Sequence, residues 1–245
     1  MSGLTAPGAR WRMRTSIFQA KQMSKFKADR ETMIESQIRP NAVTDVALLR
    51  AMAETPREHF VPPSQRNLAY MDGALRVETA RDGRPARYLP SPMAFAKLVQ
   101  LAAVKNTDRV LDIGPATGYS TAILAKLAKQ VIAVECDPGL AALAQDALAQ
   151  ENIENARLVI GPLEDGAPAD GPFDVIFLNG RIGAHPEKLL TQLAPGGRLV
   201  AIMGSDTAPK AKLFTKIDSM IQDFTAFDAG APLLPGFEAE HLFTF

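Results

Sequence analysis

The sequence predicts an α/β protein: a mostly parallel sheet covered by helices on both faces, with a smaller helical region ahead of it. Three observations carry the prediction. From Val110 onward, nearly unbroken apolar runs recur ("RVLDI", "QVIAVE", "ARLVIG", "FDVIFLN", "GGRLVAIMG"), which suits strands buried on both faces. Helix-forming segments stand between several of these runs, the alternation that builds a parallel sheet. Before Pro92 the chain is instead cut by Pro40, Pro56, Pro62, Pro63, Pro85 and Pro90. Each proline removes a backbone donor and stops a helix, so only short pieces fit there.

The elements follow in chain order. Residues 1–28 carry Arg10, Arg12, Arg14, Lys21, Lys25 and Lys27 and no acid before Asp29. They read as a flexible basic extension, with Met23 an alternative start, or as a transit-like segment. Residues 29–92 are expected to form an N-terminal helical lid over the carboxyl ends of the strands. Within it, "ADRETMIESQIRP" is a helix stopped at Pro40. "TDVALLRAMAETP" is a helix capped by Thr44 or Asp45, with Val46, Leu49 and Ala53 on one face. Residues 93–245 form the sheet domain. There "GYSTAILAKLA" is helical, and "DPGLAALAQDALAQ" opens with Asp137 as cap and Pro138 at the first helical position. "HPEKLLTQL" reads as a further helix, while "KLFTKID" and "DFTAFDA" alternate and pair as a hairpin.

Composition narrows the function. With 245 residues, 47% apolar and 22% charged, the chain has the makeup of a globular protein. Its 27 basic residues balance 27 acidic ones, so no broad field for nucleic acid and no polybasic membrane patch is expected. No apolar stretch approaches the roughly 20 residues of a membrane span. Cys136 is the single cysteine, which rules out an internal disulfide and suits a reducing compartment. With His59, His185 and His241 the only histidines, no metal site is expected.

In parallel sheets, ligands bind beyond the carboxyl ends of the strands, where the strand order reverses. The loop after the first strand reads Asp112-Ile113-Gly114-Pro115-Ala116-Thr117-Gly118. A dinucleotide fingerprint needs glycines at 114, 116 and 119, but 116 is alanine and 119 tyrosine. The loop better fits an acid followed by Gly-x-Gly-x-Gly, with Ala116 in the middle glycine's place. Such a loop lets backbone approach an adenosyl ligand that has no pyrophosphate. Glu135 closes the second strand, where a carboxylate can accept both ribose hydroxyls. The competing reading is an ordinary strand-to-helix turn, with Asp112 a buried acid holding loop amides.

These segments together resemble the class I S-adenosylmethionine-dependent methyltransferases, and more closely the protein-L-isoaspartate O-methyltransferase family. The resemblance runs from about Met33 to Gly204. "ETPREHFVP" (54–62) resembles its PRE-x-FVP segment and "LAYMDGAL" (68–75) its AY-x-D-x-PL segment. "VLDIGPATGYSTAILAKL" (110–127) is similar to its donor loop, and "GPFDVIF" and "LLTQLAPGGRLV" to its later sheet. It implies a three-layer Rossmann-like methyltransferase fold, a seven-stranded sheet with one antiparallel strand, the last. It also implies a cytoplasmic O-methyltransferase that moves a methyl group from S-adenosyl-L-methionine to a carboxylate on a protein or peptide. Asp112, Gly114, Pro115, Ala116, Thr117, Gly118, Glu135, Pro162, Leu163 and Asn179 are then the expected donor-binding residues.

Two departures from the family pattern bear on the acceptor. The family's Thr-Ile-Ser-Gln-Pro segment places its serine by the transferred methyl. Aligned on Pro92, this chain has Tyr88-Leu89-Pro90-Ser91-Pro92, with proline at the serine position. Ser91 is thus either the cap of the helix beginning at "PMAFAKL" or a replacement for the lost hydroxyl, with Tyr88 the next candidate. After the third strand the family's Gly-Asp-Gly becomes "GPLEDG", which turns adenine recognition over to backbone at Leu163, or to Glu164 or Asp165. Three functions stay open: carboxyl methylation of damaged proteins, methylation of a small-molecule acceptor, and a non-catalytic adenosyl-binding or interaction protein.

Overall fold

The computed structural model describes residues 21–81 and 83–239. Most of the basic N-terminal stretch (1–20) lies outside them, as does His241. Helical backbone, α1, runs through residues 21–33, so the expected boundary at residue 28 falls inside a helix, not between an extension and a lid. That helix passes into a wide turn, Ile34–Ile38, and a tight one, Arg39–Asn41, that contains Pro40. The short helix α2 (Val46–Glu54) follows, with the Asp45 side chain accepting the Leu48 amide at 3.0 Å. Its buried side is Leu48, Leu49, Ala51 and Met52, while Val46 is 71% exposed. The expected Val46–Leu49–Ala53 stripe is therefore not the packed face. The i, i+3, i+7 spacing marks a stripe without saying which side the core takes.

A two-stranded ribbon, β1 (Leu75–Glu78) and β2 (Arg87–Leu89), leads to α3 (Pro92–Ala102). The main sheet then alternates: β3 (Arg109–Ile113), α4 (Tyr119–Leu127), β4 (Gln130–Glu135), α5 (Pro138–Gln150), β5 (Ala156–Ile160), β6 (Phe173–Ile182), α6 (Glu187–Leu190), β7 (Leu193–Met203), β8 (Lys210–Ile217) and β9 (Met220–Asp228). Strand order is β5-β4-β3-β6-β7-β8-β9. The five strands β3 to β7 run parallel, and their register pairs Asp112 with Ala133 on one side and Phe177 on the other. The one reversed strand is β8, not the last. β9 turns back on it through the expected hairpin and so runs with the parallel set. A tight hairpin reverses direction at each turn, so two consecutive strands cannot both oppose β7.

Period-two alternation sorts the strand residues to two faces. Val110, Val131, Val175 and Phe177 join the core under α3, α4 and α5. Leu111, Ile113, Ile132, Val134, Ile176 and Leu178 join a second core. The "HPEKLLTQL" helix is only the single turn Glu187–Leu190, because Leu193 is already in β7. The second core is completed by Leu163 and by Leu234 and Phe237 from the segment after β9. Both are nearly fully buried, each side chain worth about 1.5–3 kcal/mol relative to exposure.

The strand order reverses at β3, whose neighbours β4 and β6 lead away in opposite directions. The crevice at the ends of β3, β4 and β6 is thus where a ligand site is expected.

Candidate donor and acceptor site

The loop from Gly114 to Gly118 is buried throughout. Gly114 (φ 70°), Ala116 (φ 53°) and Gly118 (φ 93°) all lie in the left-handed region. The alternation explains the Gly-x-Gly-x-Gly pattern, since a residue without Cβ enters that region without penalty. Ala116 holds the middle position at a cost of roughly 1–2 kcal/mol, which the surrounding contacts offset. Thr117 Oγ1 donates to the Phe60 carbonyl at 2.5 Å, tying the loop to the "REHF" turn of the N-terminal region.

Asp112 is fully buried at the end of β3. It accepts from Ser120 Oγ at 2.8 Å and Thr121 Oγ1 at 2.7 Å, both in the first turn of α4, and from Asn179 Nδ2 on β6. Burial pushes its carboxyl up to about 7, the neighbouring Glu135 adds to the rise, and the three donors oppose it. Asn179 Oδ1 is buried without a hydrogen-bond partner among the described residues.

Glu135, at the end of β4, is wholly inaccessible. It accepts from the backbone N–H groups of Ala116 (2.9 Å), Cys136 (2.9 Å) and Asp137 (3.1 Å). The Arg87 guanidinium, from β2, closes on both of its oxygens, with Nη2 to Oε2 at 2.9 Å. Arg87 is 5% exposed, and Nη2 also reaches the Gly114 carbonyl at 3.3 Å. Beside it the half-buried Cys136 thiol is pushed up to about 11 by burial and the Glu135 charge, so it is not a nucleophile near neutral pH.

The third wall comes from the C-terminal segment. Arg181 N–H donates to the Pro232 carbonyl and Leu234 N–H to the Arg181 carbonyl, both at 2.8 Å. This lays Leu234 over the ends of β3 and β6. A β-carbon added at Gly114 would stand 2.9 Å from Leu234 Cδ2, 3.3 Å from Leu163 Cδ1 and 3.3 Å from Arg87 Nη2. One added at Gly180 would stand 2.7 Å from Leu234 Cγ. Leu163 is buried in the turn after β5, whereas Pro162 is exposed.

On the acceptor side, Ser91 is the N-cap of α3, its Oγ accepting the Ala94 amide at 3.3 Å. Pro90 presents its carbonyl to Arg57 Nη2 at 2.7 Å, and Arg57 Nε reaches the Ala69 carbonyl at 2.9 Å. The Arg57 guanidinium lies 4.6 Å from the centre of the Tyr119 ring. Tyr88 is half-buried in β2, opposite Arg76.

The profile of the family described as protein-L-isoaspartate(D-aspartate) O-methyltransferase (PCMT) matches residues 28–226. The chain belongs to the protein-L-isoaspartate O-methyltransferase family. Among its curated relatives, the protein-L-isoaspartate O-methyltransferase of Methanoculleus marisnigri is 34% identical over 73% of this chain and 78% of its own. Protein-L-isoaspartate O-methyltransferase 1 of Anaeromyxobacter is 37% identical over 72% of this chain and 80% of its own. A solved protein-L-isoaspartate O-methyltransferase superposes with a TM-score of 0.74 at 26% identity, over 86% of this chain and 67% of that one. A Plasmodium falciparum structure described as of the same kind, in complex with S-adenosyl-L-homocysteine, shares the fold at 20% identity and a TM-score of 0.69. The family is one of S-adenosylmethionine-dependent O-methyltransferases, and the chain is an enzyme of that class.

The sheet brings together the loop residues 112–118, Glu135, Leu163 and Asn179; Pro162 is exposed beside Leu163, Tyr88 lies on β2 and Ser91 caps α3. Two side chains close over this cluster. Arg87 holds both Glu135 oxygens, and Leu234 fills the space over Gly114 and Gly180. Neither residue is found by reading the sequence, nor are Ser120, Thr121 and Arg57 in their holding roles. The available signals were weak: an arginine in a short extended stretch, and an apolar "PLLPGF" after the last strand. Among the described residues no group of His, Cys, Asp and Glu is placed to hold a metal, and no helix is long and apolar enough to cross a membrane.

Proposed function

We propose that this chain transfers a methyl group from S-adenosylmethionine to a carboxylate, and that its acceptor is not the isoaspartyl peptide of its relatives. The observation that carries the donor part is the coupling of loop and acid. Three alternate left-handed residues turn the loop backbone around the end of β3, and its Ala116 amide is anchored on the Glu135 carboxylate of the next strand. Asp112, Gly114, Ala116, Gly118 and Asn179 would surround the amino-acid part, Glu135 the ribose, and Leu163 the base.

When bound, the donor supplies an electrophilic methyl: the carbon–sulfur bond breaks as a carbon–oxygen bond forms, the sulfur leaves neutral, and the acceptor becomes a methyl ester. No proton has to move, because a carboxylate is already ionised near pH 7. The chain's task is positioning in a cleft with little water. The acceptor part follows from the stretch 88–92. Pro90 has no hydroxyl, its carbonyl is engaged by Arg57, and the Ser91 hydroxyl is engaged at the cap of α3. The family's serine position carries no hydroxyl here, the Ser91 hydroxyl is oriented by the cap of α3, and Tyr88 lies on β2, so turnover on isoaspartyl residues is weak or absent.

Incubation with methyl-labelled donor tests this, with an isoaspartyl peptide in one arm and a cell lysate in the other. Expected is base-labile label in the lysate and little in the peptide. Robust peptide labelling abolished by Ser91→Ala would make Ser91 the acceptor-holding residue. Absence of label in both arms would leave the fold without the transfer.

A further inference from the structure

We propose that Arg87 and Leu234 form a two-part gate on the donor site, so that donor binds only when both have withdrawn. The proposal rests on the donor reading above and adds to it what controls entry. Each part occupies a specific piece of the site. Arg87 takes both oxygens of Glu135, the carboxylate that would receive the ribose hydroxyls. Leu234 takes the space above Gly114 and Gly180, where the missing side chains would otherwise leave room.

Both parts sit on elements able to move without unfolding the sheet. Arg87 lies on a two-stranded ribbon of four and three residues with an irregular register at Arg76/Glu78, outside the main sheet. Such ribbons are marginal by themselves. Leu234 lies after the last strand, where an isolated bridge at Arg181–Leu233 and a few backbone hydrogen bonds attach the segment. Regions so attached open locally at far less cost than the global fold.

The structure also provides a place for Arg87 to go and leaves Glu135 satisfied when it does. A cavity of about 190 Å³ lies beside the pair, lined by Arg81, Arg84, Arg87, Cys136, Asp137 and Pro235. It is bounded by the ribbon residues Glu78 and Arg87 and by Pro235, the neighbour of Leu234 in the C-terminal segment. After Arg87 leaves, the carboxylate keeps the amides of Ala116, Cys136 and Asp137, and its buried charge is not stranded. Apparent affinity is then the intrinsic affinity multiplied by the fraction of open molecules. Variants that empty either part raise it.

The test is calorimetric titration of the full chain with S-adenosylhomocysteine, for wild type, Leu234→Ala and Arg87→Gln. Amide hydrogen exchange is followed on the wild type alone, so that the test survives a variant that does not fold. Expected is at least tenfold tighter binding by each variant than by wild type. Saturating ligand should also speed exchange at Arg181, Gly183 and Leu234, whose amides hold or belong to the C-terminal segment. Equal or weaker binding by the variants, with unchanged exchange at those amides, overturns the gate and leaves the donor reading standing. No binding by any of the three chains overturns the donor reading and the gate with it.

Discussion

Asp112→Asn should flatten a large part of the pH dependence of stability. The Asp112 carboxyl sits at 3.8 when solvated and at about 7 in the fold, chiefly because it is buried. A raised folded value means that the folded state holds the proton more tightly. The contribution is fully present below about pH 4, falls as the unfolded chain alone ionises, and is lost once pH passes about 7. Three units at 1.36 kcal/mol each give about 4 kcal/mol across that window. The amide keeps the shape and cannot titrate, and the Ser120 and Thr121 hydroxyls can turn to accept from it. Urea denaturation at half-unit steps from pH 4 to pH 8 measures both proteins. The wild-type-minus-variant difference should fall by about 4 kcal/mol between pH 4 and pH 7 and then level. A difference that stays flat would mean that the three donors keep the carboxylate ionised throughout, and the burial argument would be refuted.

Other perturbations have separate readouts. Glu135→Gln should weaken S-adenosylhomocysteine binding by about 1.5–3 kcal/mol, the size of lost charge-assisted hydrogen bonds, read by calorimetry. Ser91→Ala should lower the urea midpoint by the equivalent of about 1 kcal/mol, the usual value of an N-cap, with label transfer to the lysate unchanged. Arg57→Lys should cost at least about 2 kcal/mol of stability. One ammonium cannot serve the Ala69 and Pro90 carbonyls and also sit over the Tyr119 ring as the guanidinium does.

What the sequence made legible depends on the range of the interaction. Strands β3 to β7 were readable because a strand buried on both faces needs an apolar run, and α5 because Asp137 and Pro138 set its start locally. The loop at 114–118 was readable through its glycines, even with Ala116 in the middle, because the backbone conformation needs them at alternate positions. The Arg87–Glu135 pair was not, since its members are 48 residues apart and neither has a neighbour that marks it. Leu234 follows the last strand in an unmarked apolar stretch; only its amide hydrogen bond to the Arg181 carbonyl makes it a wall of the site. The buried side of α2 escaped because nine residues carry two possible stripes, and packing against α4 and α3 chooses between them.

The most direct measurement is the structure of the full chain crystallised with S-adenosylhomocysteine. Expected are ribose hydroxyls on Glu135, the Arg87 guanidinium turned away from it, and Leu234 lifted from above Gly114. Ligand bound elsewhere, or Arg87 still closed on Glu135 beside a bound ligand, would contradict the assignment of the ends of β3 and β4 as the donor site.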